Sequence, residues 1–534
     1  MILLALGCVT ETYHPPEGVM VVVQESHTSW LRNFNPLISS SRWPSTAGVY
    51  EPLLIFNPMQ GSYTPWLAET YAWDADGAGL TFHLQDGVKW SDGSEFSADD
   101  VVFTFRLLKE KPALDIGGVW SFMESISAPD SETVAVRFSR PFSPGLARLA
   151  HQPIVPEHIW ADIEDPITFT NPEPVGTGPF TEVTLFESQV FELSANPHYW
   201  QEGKPAVKAL RFPAIPTNDQ AALALINGEV DWAGKFVPAI DRIFVEANPE
   251  HHKYWFPQVG GSIFLYANTT TPPLDDPGIR KAISRAIDRD LIVQVAAYGY
   301  TTPAGPTALS DGYADWRIPV AEADDWTRYD PEAAAAALEA AGYVLGEDGL
   351  RRRDGETLVM NINVVSGWSD WVRAGQVIAR NLRSIGVDAS LKTYDFGAWF
   401  EQLGRGEFTL SLGWSGEGPT PYAMYGGLMS AEGMVPVGEI APSNWHRYAS
   451  SQADALLRAF EQTTDPAEQH RLIAQLQAEF VAQAPAIPLF LNPSWGQCST
   501  ARFTGFPSAE DPYARLSPNN PPETLLVMTR VMPR

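Results

Sequence analysis

From about Gly176 onward the sequence alternates short apolar runs with capped amphipathic segments, and that alternation restricts the chain to a layered α/β architecture. The helix ends are well marked. Asp276 and Pro277 start one helix, predicted to run through Ile279, Ala282, Ile283 and Ile287; Asp330 and Pro331 start another, closed by Gly342. A third spans Trp371 to Ile385 and stops at Gly386, followed by a strand over Val387–Lys392; a helix over Phe396–Leu403 then leads to a strand over Phe408–Leu412. Upstream, Val19–Gln24 (VMVVVQ) reads as a strand. A stretch of about 125 residues after it reads as a small separate domain, with hairpin-like segments at Leu80–Leu84 and Thr133–Phe138. Between those segments Ser97 and Asp100 form a capping box for a helix carrying Val101, Val102, Phe105 and Leu108.

At 534 residues the chain exceeds what one hydrophobic core serves, so two or three domains are expected. Its 44% hydrophobic content and 18 Trp mark a globular chain with aromatic side chains to spare for a binding surface. The net charge of −28 is spread without a basic block, which argues against nucleic acid as a partner. No apolar run reaches about 18 residues, so no transmembrane helix is encoded. Met1–Gly7 is apolar and ends at Cys8, followed by polar Thr10, Glu11 and Thr12, which resembles the tail of a bacterial lipoprotein signal with Cys8 as the lipidated residue, the alternative being an ordinary short apolar start. The only other cysteine, Cys498, lies at the far end of the chain; a disulfide to Cys8 would compete with lipidation, and a buried free thiol is the simpler expectation.

In open α/β sheets the ligand crevice forms beyond the carboxyl ends of the strands. Three strands here run into aromatic loops: Val19–Gln24 into Trp30 and Phe34, Val359–Val365 into Trp368 and Trp371, and Phe408–Leu412 into Trp414, Tyr422 and Tyr425. Enzyme motifs are missing. There is no GxSxG, HExxH, P-loop or dinucleotide fingerprint; Gly176–Gly178 is followed by Pro179 and Phe180 rather than by a helix start that would hold phosphate. The 10 histidines, His251 and His252 included, show no metal spacing, so neither metal nor cofactor is expected. Any pair of carboxylates suited to a glycosidase is no better than chance among 64 acidic residues.

Several blocks resemble the family 5 extracellular solute-binding proteins, which include dipeptide, oligopeptide, nickel and oligosaccharide binders. They are Tyr50–Leu54 (YEPLL), Trp66–Thr70 (WLAET), Leu80–Val102, Gly176–Phe180 (GTGPF), Asn196–Trp200 (NPHYW), Ile226–Trp232 (INGEVDW) and Asn268–Arg289. The resemblance implies a periplasmic-binding-protein-like α/β fold of two lobes joined by a hinge, in three domains. Domain I would comprise 9–47, 175–262 and 490–534, domain II the insert 48–174, and domain III the second lobe 263–489, after a signal remnant over 1–8. The crossovers forming the hinge are expected near Phe264–Ala267 and Pro488–Leu491. A non-enzymatic, monomeric, extracytoplasmic and lipid-anchored protein follows, passing its ligand to the permease of an ABC importer.

Peptide binders of that family carry an acidic residue shortly after a Trp in the second lobe, where it pairs with the ligand's α-ammonium. Here Ser415 and Gly416 occupy that register, and Glu417 lies nearby. Sugars instead need flat aromatic faces together with amides and carboxylates. Trp30, Asn33, Asn35, Trp43, Trp368, Trp371, Trp399, Trp414, Glu417, Tyr422, Asn492 and Trp495 supply that mixture and are the candidate ligand residues. The mixture resembles the cellobiose-type members and points to a β-linked oligosaccharide, with a di- or oligopeptide as the alternative. Trp371 and Trp399 sit on predicted helices, where an aromatic commonly packs inward.

Overall fold

The run Val19–Val23 alternates between two apolar surroundings: Met20 and Val22 join one buried cluster, Val21 and Val23 another. That two-residue period suits a strand buried on both faces. In the computed structural model, which describes residues 16–38, 42–46, 48–432 and 434–534, it is the middle strand of a seven-stranded sheet. It pairs in parallel with Ala209–Pro213 on one side and Trp232–Ala233 on the other. Val190–Ala195 and Phe180–Glu187 extend the first edge; Gln497–Ser499 and His252–Tyr254 complete the second. Cys8 lies outside the described residues. Cys498 is a buried free thiol, pushed up to about 12 by burial.

A second sheet has five strands in the order Asp388–Tyr394, Val359–Val365, Leu410–Trp414, Ser262–Ala267, Ile487–Leu491. Its first three strands are parallel, linked by the helices Ser369–Ser384 and Phe396–Arg405. Asp395 caps the second of these helices, and Gly386, at φ +88°, turns the chain after the first. The helix begun at Asp276 spans Pro277–Arg285 and stops short of Ile287, because Asp288 caps a new helix, Arg289–Val295.

Between the first strand and Phe180–Glu187 lies a four-stranded antiparallel sheet, Ala68–Trp73, Gly79–Leu84, Thr133–Phe138 and Met123–Asp130 in that order. Helix Ala98–Glu110 packs on it, and the capping box closes as expected: Asp99 N donates to Ser97 Oγ at 3.3 Å and Ser97 N to Asp100 Oδ2 at 3.0 Å. Its core is continuous with that of the seven-stranded sheet, whereas the five-stranded sheet has a separate core drawn from Ile263 to Phe490. The inserted sheet and the seven-stranded sheet therefore form one packed body.

The blocks Tyr50–Leu54, Trp66–Thr70 and Asn196–Trp200 meet at a single buried carboxylate. Trp66 Nε1 and Tyr199 Oη donate to Glu51 Oε1 at 2.7 and 2.9 Å, and Trp200 Nε1 donates to Oε2 at 3.0 Å. Burial raises the Glu51 pKa to about 7 against those hydrogen bonds. The glycines of Gly176–Phe180 serve packing: a Cβ on Gly176 would lie 2.0 Å from Val49 O, and one on Gly178 2.1 Å from Gly48 O.

The chain passes between the two large sheets through 255–261 and returns through 492–496. The segments Phe264–Ala267 and Pro488–Leu491, expected to cross, are instead buried in neighbouring strands of the five-stranded sheet. Their hydrogen-bonded ladder fixes them there, and the crossing falls to the loop residues just outside. Among the described residues no helix is long and apolar enough to cross a membrane.

Candidate ligand-binding cleft

Both large sheets turn the carboxyl ends of parallel strands toward the same space. Val19–Val23 and Trp232–Ala233 lead into Glu25 and into Gly234, Lys235 and Phe236; Val359–Val365 and Leu410–Trp414 lead into Trp368, Asp370 and Trp371 and into Ser415, Gly416 and Glu417. The crossing residues Gly260 and Asn492–Trp495 close one side, and Arg515, Ser517, Asn519 and Asn520 of the C-terminal segment add to the wall. The resulting cleft holds about 350 Å³. Its placement is that of a crevice at strand carboxyl ends, where loops converge and helices stay on the sheet faces.

One wall is a box of tryptophans. Trp371 meets Trp368 edge-on with centroids 4.8 Å apart, and Trp399 packs 5.6 Å from Trp371 and 5.3 Å from Trp414. Trp371 is 5% exposed yet still lines the cleft, so its helix packs it inward and presents it to the cavity at once. On the crossing segment, Trp495 meets Phe236 at 5.2 Å and Phe256 at 4.8 Å.

Polar contacts tie the walls together. Trp368 Nε1 donates to Ser26 Oγ at 3.0 Å, Asn218 Nδ2 to Asp370 Oδ1 at 3.1 Å, and Asn218 N to Gly367 O at 3.1 Å. A Cβ on Gly367 would come 2.4 Å from Pro216 O, so glycine permits this approach. Arg515 Nη2 and Nη1 donate to Glu417 Oε1 and Oε2 at 2.8 and 3.1 Å, and its Nε donates to Glu523 at 2.7 Å. Burial works against the guanidinium's charge, but Glu417 and Glu523 together hold its pKa above the ordinary range. Burial raises Asp370 to about 6, against hydrogen bonds from the first turn of its helix and from Asn218; burial lowers Lys235 to about 7, with Glu25 and Asp370 drawing it back up.

Of the candidate residues, Trp368, Trp371, Trp414, Glu417, Asn492 and Trp495 line the cleft. Others lie elsewhere. Trp30 is buried in the core between His27 and Phe191, at 4.1 and 4.8 Å. Asn35 staples its loop by donating to Pro166 O and Phe169 O, and Asn33 Oδ1 accepts from Asn35 N. Trp399 is 0% exposed and donates to Ser411 Oγ at 3.2 Å, backing the box without reaching the cavity. Tyr422 stacks on Phe460 and donates to Glu461 Oε1 at 2.7 Å, outside the cleft. Trp43 belongs to the short helix Arg42–Ser45, and its side chain is outside what is described. Lys235, Phe236, Asp370 and Arg515 also line the cleft, beyond the residues predicted from the sequence. Lys235 and Phe236 carry no such signal in the sequence, because a two-residue strand, Trp232–Ala233, shows no periodicity that would mark its end.

The model of the bacterial extracellular solute-binding proteins, family 5 (middle region), matches residues 62–435. The glutathione-binding protein GsiB of Salmonella typhimurium is 29% identical over 438 residues, 80% of each chain, and that of Escherichia coli K12 is 29% identical over 436 residues, again 80% of each. A mannohexaose-bound periplasmic oligopeptide-binding protein of an oligopeptide ABC transporter, from Thermotoga maritima, superposes with a TM-score of 0.89 at 26% identity, covering 98% of this chain and 100% of that one. NikZ from Campylobacter jejuni in complex with Ni(L-His) shares the fold, with a TM-score of 0.82 at 20% identity over 97% of this chain and 100% of its own.

Proposed function

Because the chain belongs to the bacterial extracellular solute-binding proteins of family 5, the substrate-binding components of ABC importers, we propose that it captures a neutral oligosaccharide between its lobes and hands it to a permease. A β-linked sugar such as a cello-oligosaccharide is the ligand this reading names. The domain division set out from the sequence accompanies it, with the hinge moved to 255–261 and 492–496, as do lipidation at Cys8 and action as a monomer.

The observation that carries the reading is the aromatic lining of the cleft, Trp368, Trp371, Trp414, Phe236 and Trp495, edged with amides. Flat indole faces match the CH faces of pyranose rings, and Asn218, Asn492, Asn519 and Asn520 can exchange hydrogen bonds with hydroxyls. Glu417, the acid nearest the register of a peptide binder's carboxylate, is held in a bidentate pair by Arg515, and Asp370 already accepts from Asn218 and its own helix turn. An incoming ammonium would have to compete with Arg515 for Glu417.

A second reading has support of its own. Lys235 and Asp370 place opposite charges in one cleft, which suits a zwitterion such as a small peptide, and the GsiB relatives are glutathione-binding proteins. Thermal melting against cello-, laminari-, manno- and xylo-oligosaccharides, di- to tetrapeptides, glutathione and Ni²⁺ separates the two, because a ligand of the folded state raises the melting temperature. A rise with β-linked sugars that disappears in Trp414→Ala supports the saccharide reading. A rise with peptides or glutathione alone sinks it.

A further inference from the structure

Lys235 is 3% exposed and lines the cleft. Its main chain is pinned from both directions by one side chain: Lys235 N donates to Gln497 Oε1 at 3.3 Å, and Gln497 Nε2 donates to Lys235 O at 2.7 Å. An ammonium has three N–H donors. Among the described residues Lys235 Nζ uses one of them, on Ser26 Oγ at 2.8 Å, and that same oxygen accepts Trp368 Nε1 from the opposite wall. Lysine is almost never fully buried unless paired, and that neutral hydroxyl together with the pull of Glu25 and Asp370 does not offset the loss of water around its charge. Groups kept at such a cost cluster where a ligand completes them.

We infer that Lys235 is the specificity-determining residue of the cleft, donating its two remaining N–H groups to oxygens of one sugar unit whose hydroxyls donate in turn to Asp370. The inference rests on the saccharide reading above. A hydroxyl is the ligand group that accepts from an ammonium and donates to a carboxylate at once. Charge also favours it over a ligand carboxylate. Glu25 and Asp370 both act on Lys235, and Arg373, the cation acting on Asp370, is turned to the rings of Phe236 and Tyr298. The site is thus balanced before anything enters, and a ligand anion would unbalance it.

The test compares wild type with Lys235→Met by melting and calorimetry, using cellobiose, cellohexaose, mannohexaose and glutathione. Removing an incompletely solvated charge is expected to leave the unliganded melting temperature equal or higher, while affinity for the sugars that shift wild type falls by about tenfold or more. A purely structural lysine would do the reverse, lowering the unliganded melting temperature. That result, or sugar affinity within about twofold of wild type, overturns the assignment while the saccharide reading stands. Should the Met variant fail to fold, Lys235→Gln carries the same comparison. If wild type responds to none of the sugars, the saccharide reading has failed and the hydroxyl contact falls with it; a response to glutathione that Lys235→Met abolishes would instead make Lys235 the partner of a carboxylate.

Discussion

Arg515 reaches across the cleft to Glu417 with two hydrogen bonds, 2.8 and 3.1 Å, while its Nε stays anchored on Glu523 at 2.7 Å. The pair joins the loop after Leu410–Trp414 to the C-terminal segment, two bodies connected covalently only through 255–261 and 492–496. It is a contact that opening of the lobes would break.

The Glu417 side chain is 40% exposed, so the pair contributes about 0.5–1 kcal/mol after solvent screening. Glu417→Gln is expected to weaken ligand binding about two- to fivefold with the melting temperature of the unliganded protein little changed. Calorimetry with whichever sugar shifts wild type reads this; unchanged affinity would mean that closure does not depend on the pair. Arg515→Met is a harsher change, since it leaves Glu523 buried without its cation, and should cost about 3–5 kcal/mol in urea unfolding.

Two tryptophans of one box should separate binding from folding. Trp414 borders the cleft, and Trp414→Ala is expected to cost about 2 kcal/mol of affinity. Trp399 is fully buried behind it, and Trp399→Ala should cost about 3–5 kcal/mol of stability. Denaturant midpoints and titrations on both variants check this, and a Trp414 variant that binds as wild type does would remove the box from the site.

Glu51 gives a pH signature. Its folded-state value is raised from 4.5 to about 7, so between those values the folded chain holds a proton that the unfolded chain has lost. The stability this contributes is complete below about 4.5 and is lost as pH rises through about 7. Gln at this position cannot ionise, so the difference in melting temperature between wild type and Glu51→Gln is expected to change in that window, with wild type losing ground as pH rises. Two curves that stay parallel from pH 4 to 8 would show that the carboxyl does not titrate there.

Gly176 and Gly178 admit no side chain without moving the Gly48–Val49 backbone. Gly178→Ala is expected to cost about 2–3 kcal/mol or more, comparable to overpacking a core, measured as a drop in the urea midpoint. A neutral result would mean that this backbone yields easily.

Much of the scaffold was legible because helix ends advertise themselves. Ser97, Asp276, Asp330 and Gly386 stand at helix boundaries in the structure, and Val359–Val365 is a strand over the same residues predicted from the sequence. Which sheet a strand joins was not legible, since Phe264–Ala267 and Pro488–Leu491 are short apolar runs whether they bridge two sheets or sit inside one. The same limit shaped the site. Trp368 follows a readable strand and Trp414 ends one, and both border the cleft, whereas Trp30 also follows one but its loop folds back onto Phe191. Lys235 leaves its trace only in three dimensions, through the pairing of Trp232 with Val22 and the embrace of Gln497 from the opposite end of the chain.

The strand Gln497–Ser499 lies between Trp232–Ala233 and His252–Tyr254, inside the sheet whose middle strand is Val19–Val23. During synthesis every strand of the five-stranded sheet has emerged once Leu491 has, while the sheet begun first still has an interior gap. The body started first is finished last. Arg515, Asn519 and Asn520 come later still, so the growing chain can carry a packed second lobe well before it has a cleft for anything to enter.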